Sequence, residues 1–291
     1  MSVASKNLND AVLIVGADGI IGRNLVAAFE SAGKAVWQTT RHLDQVGGQR
    51  VFLDLSKDLT QWSLPPAPIS TAILCAAVTS LESCRLDPKS SRRVNVLGTI
   101  ALAKRLVEAG TFVVFLSTNL VFNGEAPFVK PTDPVNPQTE YGSQKAEVES
   151  QFLAWGEKIA IVRFSKVLSP DMPLFQGWIR DLKAGKVIYP YSDMVMAPVS
   201  LVFAVKVLLE VTERRVPGIF HVSAMQDVSY AAAAQHIARK LGVDMELVQP
   251  IPYRESGLAF APLNSSLESS RLVELGLCAP DAGDAFEEST N

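Results

Sequence analysis

Hydrophobic positions in the first half of the chain form short apolar runs that alternate with stretches of helical periodicity. The runs of strand length are AVLIVGA, KAVWQTT, RVFLDL, STAILCAA, TFVVFLST and KIAIVRFS. Helical periodicity marks GIIGRNLVAAFESAG, PKSSRRVNVLGTIALAKRLVEAG and TEYGSQKAEVESQFLAWG. Strands that are apolar throughout, with helices between them, are typical of a parallel sheet covered on both faces. We therefore predict an α/β fold built on a doubly wound parallel sheet.

The alternation loosens after Ser165. Connections that contain proline lead to a helix at VSLVFAVKVLLEVTE, a strand at GIFHVSA and another helix at SYAAAAQHIARKLG. We predict a sheet domain at residues 10–165 and a smaller region at residues 166–291. The two are predicted to be partly interleaved, with residues of about 198–223 returning to the sheet domain.

Composition narrows the classes of partner. The chain has 291 residues, 48% of them hydrophobic, and a net charge of -3 with scattered basic residues. These values favour a small-molecule ligand over nucleic acid or an anionic membrane surface. The apolar runs are too short to span a bilayer, and the first ten residues lack the apolar core of a signal peptide. The three cysteines have no CxxC spacing and the three histidines no ligand pattern, so we expect a cytoplasmic protein without a metal site.

The first apolar strand leads into GADGIIG, which contains Gly16, Gly19, Ile20, Ile21 and Gly22. Glycines allow a tight turn and a close approach of phosphate, and the following helix offers unpaired N–H groups. The motif lies between a strand and a helix, the context that a dinucleotide site requires. We predict that these residues bind the cofactor; an ordinary glycine turn is the alternative.

The end of the second strand distinguishes the two nicotinamide dinucleotides. An acid there binds the ribose 2′-hydroxyl of NAD, whereas an arginine can bind the 2′-phosphate of NADP. The segment AVWQTTRHLD has Arg41 near the strand end and no acid before Asp44, which favours NADP(H), with NAD(H) as the alternative. Asp54 in FLDLS is predicted to contact the adenine, unless it only caps a helix, and Leu55 is predicted to contact the cofactor.

Five motifs together resemble a known family. GADGIIG, CAAVTS, VNVLGT, FLSTNLVFNGEAP and YGSQKAEVE, in that order, are similar to extended short-chain dehydrogenases/reductases of the dTDP-4-dehydrorhamnose reductase branch. IVRFSKVL, GIFHVSA and PLNSSLESSRLVELG also match, so the resemblance runs from about residue 11 to 277. It implies a Rossmann domain, a pocket for a sugar nucleotide, and cofactor contacts at Ala76 and Ala77.

The resemblance assigns roles to a tyrosine and a lysine that helical spacing puts on one face of a helix. Tyr141 would protonate the substrate carbonyl, and Lys145 would stabilise the phenolate and bind the nicotinamide ribose, so both also contact the cofactor. Thr118 would polarise the carbonyl, and Asn95 would act as a backbone or water-relay residue beside the cofactor. The alternatives are a solvated helix face, a strand end and a purely structural asparagine.

Two positions depart from the pattern of this branch. Asn119-Leu120 replaces the usual Asp-Tyr after the Ser/Thr pair, which removes a tyrosyl hydroxyl near the substrate. Ala261 replaces the arginine that often precedes Pro262, which weakens the inference to a diphosphate substrate. The reaction type is therefore better supported than the identity of the sugar.

These observations predict an NADPH-dependent reductase of a keto group on a nucleotide-linked or related sugar. Two alternatives stay open, an epimerase or dehydratase of the same family and a non-catalytic NADP-binding subunit resembling the methionine adenosyltransferase β subunit. The expected partner is a small molecule rather than nucleic acid or membrane, and the sequence leaves a homodimer open.

Overall fold

A computed structural model describes residues 11–253 and 260–289 of the chain. The signal-peptide argument rests on the first ten residues, which lie outside the described residues. Residues 10 and 291, the outer ends of the predicted domain ranges, also lie outside them.

The strands follow the apolar runs of the first half and add short strands in the second. The strands are β1 Ala11–Val15, β2 Val36–Thr40, β3 Arg50–Phe52, β4 Ile69–Leu74, β5 Phe112–Thr118, β6 Ile159–Phe164, β7 Lys166–Leu168, β8 Val195–Met196, β9 Pro198–Ser200, β10 Gly218–Val222 and β11 Val228–Ser229.

The helices occupy most of the connections between strands. They are α1 Ile20–Ser31, α2 Leu81–Leu86, α3 Pro88–Arg92, α4 Thr99–Glu108, α5 Glu140–Leu153, α6 Pro173–Lys183, α7 Leu201–Arg214, α8 Tyr230–Leu241 and α9 Ala282–Ser289.

Seven strands form one sheet in the order β10-β6-β5-β4-β1-β2-β3. The pairings from β3 through β2, β1 and β4 to β5 are all parallel. Every residue of β1 and β5 is buried, as expected for central strands covered on both faces. The predicted doubly wound parallel sheet is confirmed. Its carboxyl edge, where such sheets bind ligands, carries the glycine turn after β1 and Thr118 at the end of β5.

The long helix predicted between β4 and β5 is divided in the structure. A π-helical segment, Arg93–Gly98, joins α3 to α4. Gly98 lies so close to the loop after β3 that a Cβ atom there would approach the Leu55 carbonyl oxygen to 2.0 Å. Periodicity alone does not reveal this close approach, because the contact is made with a distant part of the chain.

By the density of its contacts the chain divides into two units. One unit consists of residues through Ser117 with Ser143–Val162 and Val205–Ile219, and the other of Thr118–Gly142, Arg163–Ala204 and the residues from Phe220 onward. The domain boundaries expected from the sequence stay a prediction, because contact density does not show which segments fold independently.

The second unit has an aromatic core of its own. Phe175 and Trp178 of α6 are buried, and their ring centroids are 5.4 Å apart. Phe175 also packs against Phe286, and Trp178 packs edge-on against Tyr230. Phe175 and Trp178 therefore stabilise this core.

Every helix within residues 11–253 and 260–289 is too short or too polar to traverse a lipid bilayer. In the same residues, no group of three or more histidine, cysteine or acidic side chains is arranged to hold a metal ion.

The close approach at Gly98 predicts a large difference between two glycine-to-alanine substitutions. Gly98→Ala should lower the free energy of unfolding by about 1–3 kcal/mol, because the new methyl group must displace the backbone at Leu55. Gly177→Ala in α6 is the matched control: its Cβ would meet only the Arg180 guanidinium at 3.9 Å, so higher helix propensity should stabilise the chain by up to about 1 kcal/mol. Urea unfolding followed by tryptophan fluorescence measures the free energy of unfolding of both variants. Equal changes in the two variants would contradict the close approach of Gly98 to Leu55.

Candidate functional site

The turn between β1 and α1 packs closely against neighbouring backbone atoms. Gly16 has a φ of +86°, and a Cβ atom on it would lie 2.8 Å from the backbone of Ala76. A Cβ atom on Gly22 would lie 2.2 Å from the Gly16 carbonyl oxygen. Gly19 precedes α1, and no side chain caps this helix. The N–H groups of the first turn and the positive end of the helix dipole therefore suit a diphosphate group.

A cavity of about 250 Å³ lies beside this turn, at the carboxyl ends of β1, β2 and β4. The predicted cofactor residues that line it are Gly16, Gly19, Arg41, Asp54, Leu55, Ala76 and Ala77. Ile20 and Ile21 form the first turn of α1, and Gly22 lies behind the glycine turn. The glycine spacing and the strand-end residues thus meet at one cavity, and its wall has no room for a side chain at Gly16. These features fit the AMP half and diphosphate of a dinucleotide.

Asp54 caps a turn rather than a helix and lines the cavity, and its contact with adenine stays a prediction. Its Oδ1 accepts a hydrogen bond of 2.9 Å from the Ser56 amide, which is a turn cap, and the residue also lines the cavity. Burial raises the pKa of Asp54, but the hydrogen bonds with Ser56 and the charges of Lys57 and Arg41 bring it below its usual value. The carboxylate and the Arg41 guanidinium therefore influence one another electrostatically.

Asn95 is buried behind the cavity wall. Its Oδ1 accepts from the Val78 amide at 2.7 Å, and its Nδ2 donates to the Val78 carbonyl at 2.9 Å. The same Nδ2 group donates to Gln144 Oε1 at 2.8 Å, which links the wall to α5. Val78 lines the cavity, whereas Asn95 does not. Asn95 and Gln144 thus hold the wall in place, and sequence analysis missed Gln144 because its partner lies 49 residues away.

Lys145 is buried against the end of β5. Its Nζ donates a hydrogen bond of 2.8 Å to the Leu116 carbonyl and lies 4.4 Å from the centroid of the Phe115 ring. Burial lowers the pKa of Lys145 to about 8, although the Glu149 carboxylate nearby acts to raise it. Glu149 is itself buried and accepts a hydrogen bond from the Ser117 hydroxyl. The end of β5 and the helix α5 are therefore joined by polar contacts.

Thr118 is the last residue of β5 and is 7% exposed. Its hydroxyl accepts a hydrogen bond of 3.2 Å from the Leu120 amide and donates one of 3.3 Å to Asn119 Oδ1. The Asn119 amide group donates to Ser265 Oγ at 2.8 Å. Asn119, which sequence analysis treated only as the loss of an Asp-Tyr pair, thus connects the loop after β5 to the C-terminal segment.

Tyr141 lies in the first turn of α5 and is half-buried. Lys145 follows it by one helical turn, as the spacing predicts. Neither Tyr141 nor Lys145 is among the residues that line the cavity beside the glycine turn.

Asp18 is a further residue that sequence analysis missed. It lies within the glycine turn, lines the cavity and accepts a hydrogen bond of 2.8 Å from the Thr40 hydroxyl. An acidic residue inside GADGIIG was visible in the sequence, but its contact with the end of β2 depends on the fold.

Known proteins resemble this chain along almost its whole length. A family model described as "RmlD substrate binding domain" matches residues 10–285. The dTDP-4-dehydrorhamnose reductase of Aggregatibacter actinomycetemcomitans is 27% identical over 279 residues, which cover 90% of this chain and 92% of that protein. The methionine adenosyltransferase 2 subunit beta of Xenopus tropicalis is 24% identical, with 91% of this chain and 82% of that protein covered.

A solved structure shows the same fold. The dTDP-4-dehydrorhamnose reductase of Bacillus anthracis, in a complex with NADP, superimposes with a TM-score of 0.84 at 22% identity, and the match covers 96% of this chain and 98% of that chain. The resemblance to extended short-chain dehydrogenases/reductases of the dTDP-4-dehydrorhamnose reductase branch is confirmed by these matches, and the family includes NAD(P)-dependent reductases and epimerases. With the family model covering residues 10–285, the chain belongs to the RmlD substrate binding domain family, a branch of the extended short-chain dehydrogenases/reductases.

Proposed function

We propose that the chain is an NADPH-dependent reductase that converts a keto group on a nucleotide-linked or related sugar to an alcohol. The observation that carries this proposal is the buried Lys145 ammonium, bonded to the strand that ends in Thr118 and one helical turn after Tyr141. A buried titratable group with a strongly lowered pKa is typical of functional sites. The reductase relatives support the same class of reaction.

The cavity residues are suited to hold a nicotinamide dinucleotide. The glycine turn and the first turn of α1 would bind the diphosphate, and Arg41 would bind the 2′-phosphate of NADP(H). When bound, the nicotinamide supplies the hydride for the reduction. The NADP complex of the Bacillus anthracis reductase agrees with this choice of cofactor.

Tyr141 is assigned as the proton donor. A phenol has an ordinary pKa of about 10, so a nearby positive charge is needed to stabilise the phenolate that forms when the proton leaves. Lys145 supplies that charge, since a pKa of about 8 leaves its amine mostly protonated near neutral pH. The same ammonium group is assigned to the nicotinamide ribose. Lys145 would therefore position the cofactor and assist the acid together.

Thr118 is assigned to the substrate carbonyl. Its hydroxyl proton is directed to Asn119 over 3.3 Å, which is long for a hydrogen bond between oxygen atoms. Such a weak bond is readily exchanged for one to a carbonyl oxygen. Thr118 would then polarise the carbonyl while Tyr141 donates the proton.

A specific relative favours a second candidate function. The match to the methionine adenosyltransferase 2 subunit beta covers 91% of this chain, which supports a regulatory subunit that binds NADP(H) without consuming it. The proposed set of Thr118, Tyr141 and Lys145 favours the reductase, because a purely regulatory subunit does not need a proton donor.

The decisive experiment measures NADPH oxidation by the purified chain against a panel of nucleotide-linked keto sugars. Oxidation with one of them supports the reductase. Binding of NADP(H) without turnover on any ketone, together with a co-purifying enzyme, would support the regulatory subunit. Oxidised cofactor that stays bound through purification would instead point to an epimerase or dehydratase that recycles it.

Arg41→Ala tests the assignment of the 2′-phosphate. The substitution should weaken NADPH binding far more than NADH binding, because only NADPH carries the phosphate that a charge-assisted hydrogen bond would engage. Titration of both cofactors measures the effect. Arg93→Ala, which removes an exposed arginine that does not line the cavity, is the control. Equal losses of both cofactors in Arg41→Ala would refute the assignment.

Tyr141→Phe tests the proton donor. The change removes one hydroxyl and keeps the ring, so the fold and the NADPH affinity should persist while turnover falls by about 100- to 10,000-fold. Lys145→Met should differ by lowering both turnover and cofactor affinity, since its ammonium is assigned to phenol and ribose. Steady-state kinetics and cofactor titration of both variants separate these effects. A Tyr141→Phe variant with near-normal turnover would show that YGSQK is only a helix surface.

The lowered pKa of Lys145 predicts a pH dependence of cofactor binding. The amine is protonated below a pH of about 8 and neutral above it, and only the protonated form carries the charge assigned to the cofactor. NADPH affinity should therefore fall as the pH rises from about 7 to about 9, and Lys145→Met should lack this fall. Titrations at several pH values measure it, and an identical fall in the variant would assign the titration to another group.

A further inference from the structure

Asp18 brings a carboxylate to the end of β2 from a different part of the chain. Its Oδ2 accepts a hydrogen bond of 2.8 Å from the hydroxyl of Thr40, the last residue of β2. In dinucleotide-binding folds, an acid at the end of the second strand binds the ribose 2′-hydroxyl of NAD. β2 has no such acid of its own. The glycine turn supplies one at the same end of the strand.

Asp18 lies between two groups of positive charge. It lines the dinucleotide cavity, which contains Arg41, and also a neighbouring cavity of about 360 Å³ that contains Arg23 and Arg50. His42 lines both cavities as well. The carboxylate therefore stands on the shared wall, where it offsets part of the positive charge that would attract a phosphate.

The partner of Asp18 is Arg50, at the start of β3. The Arg50 guanidinium donates to Asp18 Oδ1, and the two side chains are 29% and 33% exposed. Ion pairs with this much exposure are screened by water and contribute little to stability. Arg50 Nε is buried and has no hydrogen-bond partner among the described residues. The guanidinium thus keeps donor capacity beyond its bond with Asp18.

We propose that Asp18 lowers the preference for NADPH over NADH that Arg41 confers. Its carboxylate accepts a hydrogen bond from the ribose 2′-hydroxyl of NADH and repels the 2′-phosphate of NADPH, while Arg41 and Arg50 attract that phosphate. The chain therefore binds both cofactors, and the NADPH preference due to Arg41 is reduced by Asp18. This inference rests on the proposed function, because it requires the cavity to hold a dinucleotide.

The test is equilibrium binding rather than activity. NADPH and NADH are titrated into the unsubstituted chain and into Asp18→Asn, which removes the charge and keeps an oxygen that can accept from Thr40. The ratio of NADPH to NADH affinity should rise by about 10-fold or more in the variant, because a like charge no longer faces the phosphate. The fragments 2′,5′-ADP and 5′-AMP, which differ only in the phosphate, should show the same shift.

Two further variants complete the design. Asp44→Asn makes the same change of charge three residues beyond Arg41, at a residue that lines neither cavity, and should leave the ratio unchanged. Arg50→Gln removes a positive charge and keeps an amide donor toward Asp18, so NADPH affinity should fall more than NADH affinity. Thermal unfolding of each variant checks that the fold persists.

The possible failures are distinguishable. If both cofactors bind and the affinity ratio in Asp18→Asn stays within about 2-fold of the unsubstituted chain, the role of Asp18 is overturned. An equal rise of the ratio in Asp44→Asn would also overturn it, because the effect would then be one of general charge. If neither cofactor binds to the unsubstituted chain, the proposed function fails, and this inference fails with it.

Discussion

Burial of the Lys145 ammonium is the constraint on which the arrangement around β5 and α5 depends. Removing a charge from water costs several kcal/mol unless the surroundings compensate. Here the Leu116 carbonyl accepts a hydrogen bond from the ammonium, the Phe115 ring lies 4.4 Å away, and the Glu149 carboxylate provides an opposite charge. These compensating groups come from the end of β5 and from α5 itself. These contacts therefore restrain the orientation of the helix against the end of β5.

Neutral groups hold a neighbouring face of the same helix. Gln144 meets Asn95 of the π-helical segment, and Asn95 binds both backbone groups of Val78 in the cavity wall. A buried amide that loses such partners costs about 1–3 kcal/mol, so the wall, the π-helical segment and α5 restrain one another. Segments of π-helix occur frequently at functional sites, and the one beside this cavity wall agrees with that tendency.

How much could be predicted from the sequence depended on whether a feature was local. Runs that are mostly apolar predicted β1, β2, β3, β4, β5, β6 and β10. The two-residue strands β8 and β11 carry no periodicity and were missed. Residues such as Asp18 and Gln144 were missed because the partners that define them are distant in the chain.

The two departures from the family pattern lie on segments that contact each other in the second unit. Asn119 binds Ser265, while a Cβ atom on Gly124 would approach the Pro262 side chain to 2.6 Å, next to Ala261. The backbone amide of Asn264 also donates a hydrogen bond of 2.8 Å to the Gly124 carbonyl.

Changes at these two segments are therefore coupled, because a substitution in one alters the packing and hydrogen bonding of the other. Lys145 and its compensating groups belong to the first unit and are held by different contacts. In this chain the loop after β5 and the C-terminal segment differ from the family pattern, while the contacts of Lys145 with Leu116 and Phe115 are present. A family with one reaction chemistry can in this way recognise more than one substrate.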